Sequence, residues 1–397
     1  MKIRLHPLLT PSINWLLLAL PLAFVFRFVP SFQNETLLFV FSGIAIVPLA
    51  GWMSRATDHL AERTGPGLGG LLNATFGNMP ELIIAVMALR HGLIGVVKAS
   101  ITGSLIGNIL LVLGSAILIG GIRYPHQYFN KTAARATATS LALAAIGLII
   151  PSVFHVVAQR QGGGGLLLAQ QHLSLAISGV LLGTYLLWLI FTLVTHKGLF
   201  AKETEEKNVV DCGKDKVWPL RSSLIALGLA TFLLAIMSEF FSGSVEAAGS
   251  SLGLKEAFIG IIIIAVIGNA AEFLTTVSIA RKNKMDLSLS IAMGSSLQIA
   301  LFVTPVLVFA SSLLGQPMSL EFTLPEIAAI VLAVGIAILI TGDGECSWIE
   351  GVQLISVYLI LAILFFFLPD PKEIGKSHTN QRPPLHEGPA VHRSLGA

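Results

Sequence analysis

The chain has 397 residues, 54% of them hydrophobic and 12% charged, with a mean hydropathy of +0.80 and a formal net charge of +3. Soluble domains carry about 25% charged residues, so this composition excludes an ordinary water-soluble fold. So small a net charge gives no electrostatic case for a nucleic-acid partner, and the chain reads as an all-α polytopic membrane protein embedded in a lipid bilayer.

In chain order, apolar stretches near residues 11–30, 35–54, 68–90, 93–120, 132–153, 173–195, 220–242, 257–281, 289–314, 322–341 and 351–368 predict eleven transmembrane helices. Most reach the roughly 20 residues that a helix needs to cross about 30 Å of hydrocarbon. The first stretch is followed by Arg27 and Pro30 rather than by a small-residue cleavage pattern, so residues 1–34 read as a retained extra helix. If the N-terminus is cytoplasmic, sixteen Lys and Arg fall inside and nine outside, which favours the N-terminus in and the C-terminus out or lumenal, in a bacterial inner membrane. Cys212 and Cys346 then both lie in cytoplasmic loops and are expected as reduced, unpaired thiols. The long polar segment 196–219 reads as a cytoplasmic linker between a first unit, 35–195, and a second, 220–368. The Gly162–Gly165 run reads as an outside loop, and 369–397, rich in Pro, His and charge, as a disordered tail.

The stretches "GNMPELIIAV" from Gly77 and "GNAAEFLTTV" from Gly268 share an offset of 191 residues. Gly77, Asn78, Glu81, Val86, Arg90, Gly103, Ser104, Leu110 and Val112 recur as Gly268, Asn269, Glu272, Val277, Arg281, Gly294, Ser295, Leu301 and Val303. Five predicted spans, an odd number, separate each position from its counterpart, so the second copy crosses in the opposite sense. The pattern predicts an inverted repeat of five plus five helices, with substrate sites near the midplane on interrupted helices.

Glu81 and Glu272 fall near the centres of their spans, where an ionised, unpaired carboxylate costs about 3 kcal/mol or more. They need a proton or a cation. Asn78 and Asn269 each precede the acid by three residues and share its helix face. Gly77, Pro80 and Gly268 weaken the helices there and expose backbone carbonyls, tolerable only toward a partner or a cavity. Carboxylates, amide oxygens and carbonyls are hard ligands that suit Ca2+, bound by six to eight oxygens at about 2.3–2.6 Å. The next spans add Ser104 and Asn108, then Ser295 and Gln298, while Gly103, Gly107 and Gly294 allow close helix approach. Asp58 and Glu62, ending the second span, and Glu239 and Glu246, flanking the far end of the seventh, read as solvated helix ends or as an acidic vestibule that gathers cations. His91, His126 and His155 read as interfacial.

At these residues the sequence closely resembles the calcium/cation:proton exchanger (CAX) family, within the calcium/cation antiporter superfamily. The resemblance lies in "GLGGLLNATFGNMPELIIAVMALRHGLIGVVKASITGSLIGNILLVLG" from Gly67 to Gly114 and "GNAAEFLTTVSIARKNKMDLSLSIAMGSSLQIALFVTPVLV" from Gly268 to Val308, with weaker matches at "ATDHLAERTG" and "SEFFSGSVEAA". It implies eleven helices, an inverted repeat over the last ten, and exchange of Ca2+ against protons without a cofactor. By position, Glu81 and Glu272 would be the shared cation and proton ligands, surrounded by Asn78, Asn269, Ser104, Ser295 and Gln298. The sequence departs from the family at Met79-Pro80, where many members have small or Thr residues, and at Phe273, where eukaryotic members commonly have His. Its central linker has five acids against several Lys rather than a strongly acidic helix.

The competing readings are a Na+ or K+ antiporter of the same build, a passive channel, and an intramembrane aspartyl protease drawn from "TGDGE" at Thr341–Glu345. The last lacks a second deep Asp. Homo-oligomerisation is left open by the sequence.

Overall fold

The computed structural model describes residues 13–160, 166–196 and 218–369. The expected linker and tail, the Gly162–Gly165 loop and Cys212 therefore lie almost wholly outside the described residues.

Helices dominate: α1 Ile13–Phe28, α2 Glu35–Gly65, α3 Leu68–Arg90, α4 Ile94–Arg123, α5 Lys131–Ala158, α6 Leu168–Thr195, α7 Leu220–Leu252, α8 Glu256–Gly268 plus Ala270–Ala280, α9 Met285–Leu313, α10 Leu324–Ile340 and α11 Trp348–Phe367. Among the described residues, eight of these are long and apolar enough to cross a membrane, and nine if the two pieces of α8, bent by 55°, make one span; α1 and α10 are shorter apolar helices. Burial separates them. The best window of α4 is 78% buried and that of α9 72%, against 17% in α6, so α4 and α9 form the centre and α6 lies at the rim.

Several boundaries differ from expectation; the second helix, for one, runs on to Gly65, eleven residues beyond the expected 54. The seventh helix runs on to Leu252, ten residues beyond the expected 242, and stops at Gly253, whose φ of 67° suits the left-handed position that ends helices. The apolar pattern fades before the helix does, because its last turns are rich in Ser, Ala and Gly. Glu239 and Glu246 therefore sit inside α7 rather than flanking it.

Backbone irregularities recur at the 191-residue offset. Helices break at Asn78 and at Asn269. Left-handed backbone occurs at Gly92 (φ 74°) and Asn283 (φ 59°). Wide π-helical turns occupy Gly107–Val112 in α4 and Ile299–Val303 in α9. Ser296 Oγ donates to Leu105 O at 3.3 Å, a contact between two positions 191 residues apart.

Small residues let the central helices meet. A Cβ on Gly103 would lie 2.2 Å from Ile261 O, and one on Gly260 2.4 Å from Ala99 Cβ, so α4 and α8 touch backbone to backbone. Contacts between helix ends and the segments beside them hold one end: Arg63 Nε donates to Trp218 O at 2.6 Å, and Asn130 N to Asp286 Oδ1 at 2.7 Å. The only strands among the described residues are Gln127–Tyr128 and Glu345–Cys346, paired antiparallel at this end.

That pairing buries Cys346, which is 3% exposed. Burial pushes its thiol up to about 12, with the carboxylates of Glu350, Asp343 and Glu345 adding to the effect. A thiol whose folded value exceeds its unfolded one stays neutral at neutral pH, and the stability this burial contributes is lost only as pH rises above the ordinary thiol range. In a Cys212→Ser background, maleimide is expected to label native protein at pH 8 at least about tenfold more slowly than denatured protein; equal rates would contradict this burial.

Candidate functional site

The breaks that carry the acids have different local causes. In α3, Asn78 sits at φ −101°, ψ 20° and Pro80 occupies the first turn of the following segment, Met79–Arg90. Pro80 thus starts a helix instead of weakening one from inside; its missing N–H costs nothing at a helix start but leaves the preceding segment without a donor. In α8 there is no proline, and Asn269 (φ −83°, ψ 4°) makes the bend alone. Each acid lies in the first turn after its break.

The two breaks face each other. A Cβ on Gly268 would lie 3.3 Å from both Cγ and Oε1 of Glu81, so the carboxyl of α3 packs against the break of α8, four residues from Glu272. Glu272 is close enough to Glu81 for the two carboxyl groups to interact. Ser295 Oγ donates to Glu272 Oε1 at 2.6 Å, and Asn78 Nδ2 donates to Gln298 Oε1, joining α3 to α9. On the other side, a Cβ on Gly107 would lie 3.9 Å from Asn269 Nδ2. Gly107 and Gln298 are themselves 191 residues apart, so the Asn78–Gln298 and Asn269–Gly107 approaches are counterparts.

A cavity of about 380 Å³ reaches this point. Glu81, Glu272, Ser295, Gln298, Gly77, Pro80, Gly268 and Gly294 line its inner part, and Asp58 and Glu62 its course toward Gly65, where α2 ends. Asn78, Asn269, Ser104 and Asn108 are outside the lining, buried behind it at 1%, 3%, 4% and 0% exposure. Among the described residues, both amide atoms of Asn108 and of Asn269 lack a hydrogen-bond partner, as does Glu81 Oε2. Buried polar atoms left so are expensive, and a polar occupant would relieve them.

The four outlying acids divide. Asp58 and Glu62 share the cavity, but Glu239 and Glu246 do not. Glu239 instead accepts a contact from His91 Nε2 at 3.1 Å and lies 3.7 Å from Arg90 Nη1, while Glu246 is exposed. Asp58 and Glu62 thus lie in the cavity of Glu81 and Glu272, and Glu239 and Glu246 lie outside its lining. His91 and His155 each lie against a carboxylate, His155 Nε2 at 2.8 Å from Glu321 Oε1.

Sequence reasoning missed Tyr185, Asn73, Thr275 and Ser290 in the cavity wall. Tyr185 carried a usable signal, since a phenol deep in an apolar span needs a partner for its hydroxyl. The others lie in stretches with no pattern that separates a wall from a packed face. Among the described residues no group of three or more His, Cys, Asp or Glu could hold a metal ion. A cation at this point would therefore be held by two carboxylates completed with amide, hydroxyl or backbone oxygens, a set that favours a hard ion over a soft one.

Two carboxylates meeting at broken membrane helices, reached by a cavity from one end, define a multi-pass membrane protein built to pass ions. The family model described as "Sodium/calcium exchanger protein" matches residues 34–194 and 222–367. The chain is 44% identical over 350 residues to the Ca(2+)/H(+) antiporter of Synechocystis sp., covering 85% of this chain and 92% of that one. It is 43% identical over 339 residues to the Ca(2+)/H(+) antiporter ChaA of Bacillus subtilis, covering 84% and 93%. The solved structure of native YfkE superposes with a TM-score of 0.76 at 38% identity, covering 90% of this chain and 99% of that one. The chain belongs to the sodium/calcium exchanger protein family, whose members are transporters and not enzymes.

Proposed function

We propose that the protein exchanges Ca2+ for protons across a membrane by alternating access, with Glu81 and Glu272 binding either one Ca2+ or protons. The observation that carries this is that both carboxylates line one cavity, with Glu81 packed against the helix break that precedes Glu272. Relatives named as Ca(2+)/H(+) antiporters at 43–44% identity over most of both chains favour it over a Na+ or K+ carrier, a channel or a protease. Asn78, Asn269, Ser104, Ser295, Gln298 and Asn108 complete the site in this reading, and Asp58 and Glu62 form its vestibule.

Coupling follows from charge. An empty, doubly ionised site is too costly to carry through the membrane, so the protein changes state only when loaded. Two protons per Ca2+ would make the cycle electroneutral. A third would make it sense voltage, at about 2.3 kcal/mol per charge per 100 mV.

The architecture in this reading is eleven membrane-crossing helices, with α1 as the extra, α2–α6 the first repeat within 35–195, and α7–α11 the inverted second within 220–368. Recurrence of breaks, wide turns and left-handed residues at the 191-residue offset supports it. So does a contrast between counterparts. Gly103 presses on Ile261, whereas their counterparts Gly294 and Gly70 both line the cavity, and a Cβ on Gly294 would meet nothing within 4 Å. One half is closed where the other is open, as an alternating pair of states requires. With the N-terminus and the 196–219 linker cytoplasmic and the C-terminus outside, in a bacterial inner membrane, the open end is the cytoplasmic one.

Proton-gradient-driven uptake into proteoliposomes, scanned over Ca2+, Mn2+, Na+ and K+, tests the choice of ion. Ca2+ uptake persisting in a large excess of Na+ is expected. Uptake of Na+ or K+ with none of Ca2+ would replace this reading by the monovalent one.

A further inference from the structure

We propose that Tyr185 is a positioning residue for the α3 half of the site, its hydroxyl fixing the turn that aims Asn78 and Glu81. The inference rests on the reading of the cavity as the Ca2+ and proton site. Tyr185 lies in α6, the rim helix, yet it is 2% exposed and lines the cavity. Its hydroxyl donates to Ala74 O at 3.0 Å.

The position of that carbonyl gives the contact its meaning. In α3 the amide of Gly77 closes a helical turn on Asn73 O, and the amide of Leu82 opens the next segment on Asn78 O. The amide of Asn78, which would close a further turn on Ala74 O, makes no backbone hydrogen bond among the described residues. Ala74 O is thus a carbonyl released by the break, and in hydrocarbon such a group needs a side chain from a neighbouring helix. Tyr185 supplies it. In α8 the equivalent amide, that of Asn269, still bonds Ala265 O at 3.0 Å, so the counterpart of Ala74 O stays paired there.

The ring reaches the other half of the site. It stacks on Phe302 with centroids 5.2 Å apart and planes at 26°, in the wide turn that begins one residue after Gln298. Gln298 is the partner of Asn78. The ring contact with α9 and the hydroxyl contact with α3 are separate, so each can be removed without the other. Releasing the hydroxyl frees the turn to shift, and displacements of about 1 Å at a binding group can cost 100-fold.

Tyr185→Phe removes the donor and keeps the ring, whereas Phe302→Leu keeps the donor and removes the stack. In Ca2+/H+ exchange assays on proteoliposomes, Tyr185→Phe is expected to raise the KM for Ca2+ about tenfold with the maximal rate within about twofold of wild type. Phe302→Leu is expected to leave KM within about twofold. An unchanged KM in Tyr185→Phe, an equal rise in Phe302→Leu, or failure of Tyr185→Phe to accumulate as folded protein would each overturn the positioning role. Absence of exchange in the wild type would instead overturn the transport reading itself.

Discussion

Glu81→Gln and Glu272→Gln are each expected to lower Ca2+/H+ exchange at least about 100-fold while leaving a folded protein, because truncating one member of a buried charge set costs about 3 kcal/mol or more. Gln has nearly the size of Glu and fills the same space beside Gly268 or Ser295. What it lacks is charge and a transferable proton. The loss therefore falls on both halves of the cycle: the cation meets one carboxylate instead of two, and the return step has one fewer proton acceptor. Flux assays in proteoliposomes read the first, and a pH-sensitive dye in the same vesicles reads the second. Wild-type rates in either variant would remove that carboxylate from the mechanism.

Gly103→Val is expected to destabilise the protein by about 3 kcal/mol or more, because its side chain would run into the Ile261 backbone and not into a movable side chain. The nearest atoms to a Cβ there are Ile261 O at 2.2 Å and Ile261 C and Cα at 2.6 Å. Gly294→Ala, at the counterpart position, enters open space and is expected to leave the melting temperature in detergent within about 2 °C of wild type, against a fall of roughly 5 °C or more for Gly103→Val. Equal melting temperatures for the two variants would show that α4 and α8 are not packed backbone to backbone. The comparison also probes the cycle, since the state with the opposite end open would need Gly103 released.

Much of this was legible because membrane burial makes polar residues conspicuous. Glu81, Glu272, Asn78 and Asn269 stand out from apolar neighbours, and the 191-residue register tied them together before any fold was known. The structure supplies the meeting of Glu81 with Gly268, which needs a tertiary contact that no spacing encodes. Pro80 was legible as a disruption but not as a helix start, since the choice depends on where the preceding segment ends. The extent of α7 escapes the hydropathy pattern because hydropathy reports lipid contact rather than helicity, which is why Glu239 and Glu246 read as flanking its end instead of lying within it. Tyr185 carries half of its signal in the sequence: a phenol deep in a span needs a partner, but the partner is a backbone carbonyl released by a break 111 residues earlier.

The central claim is tested most directly by purified wild-type protein in sealed proteoliposomes with an imposed proton gradient, measuring Ca2+ and proton movement together. Ca2+ entering as protons leave, with both fluxes lost in the Glu81→Gln, Glu272→Gln double variant, is the predicted result. Ca2+ movement without an opposing proton flux, or coupled exchange that survives the double substitution, would contradict it.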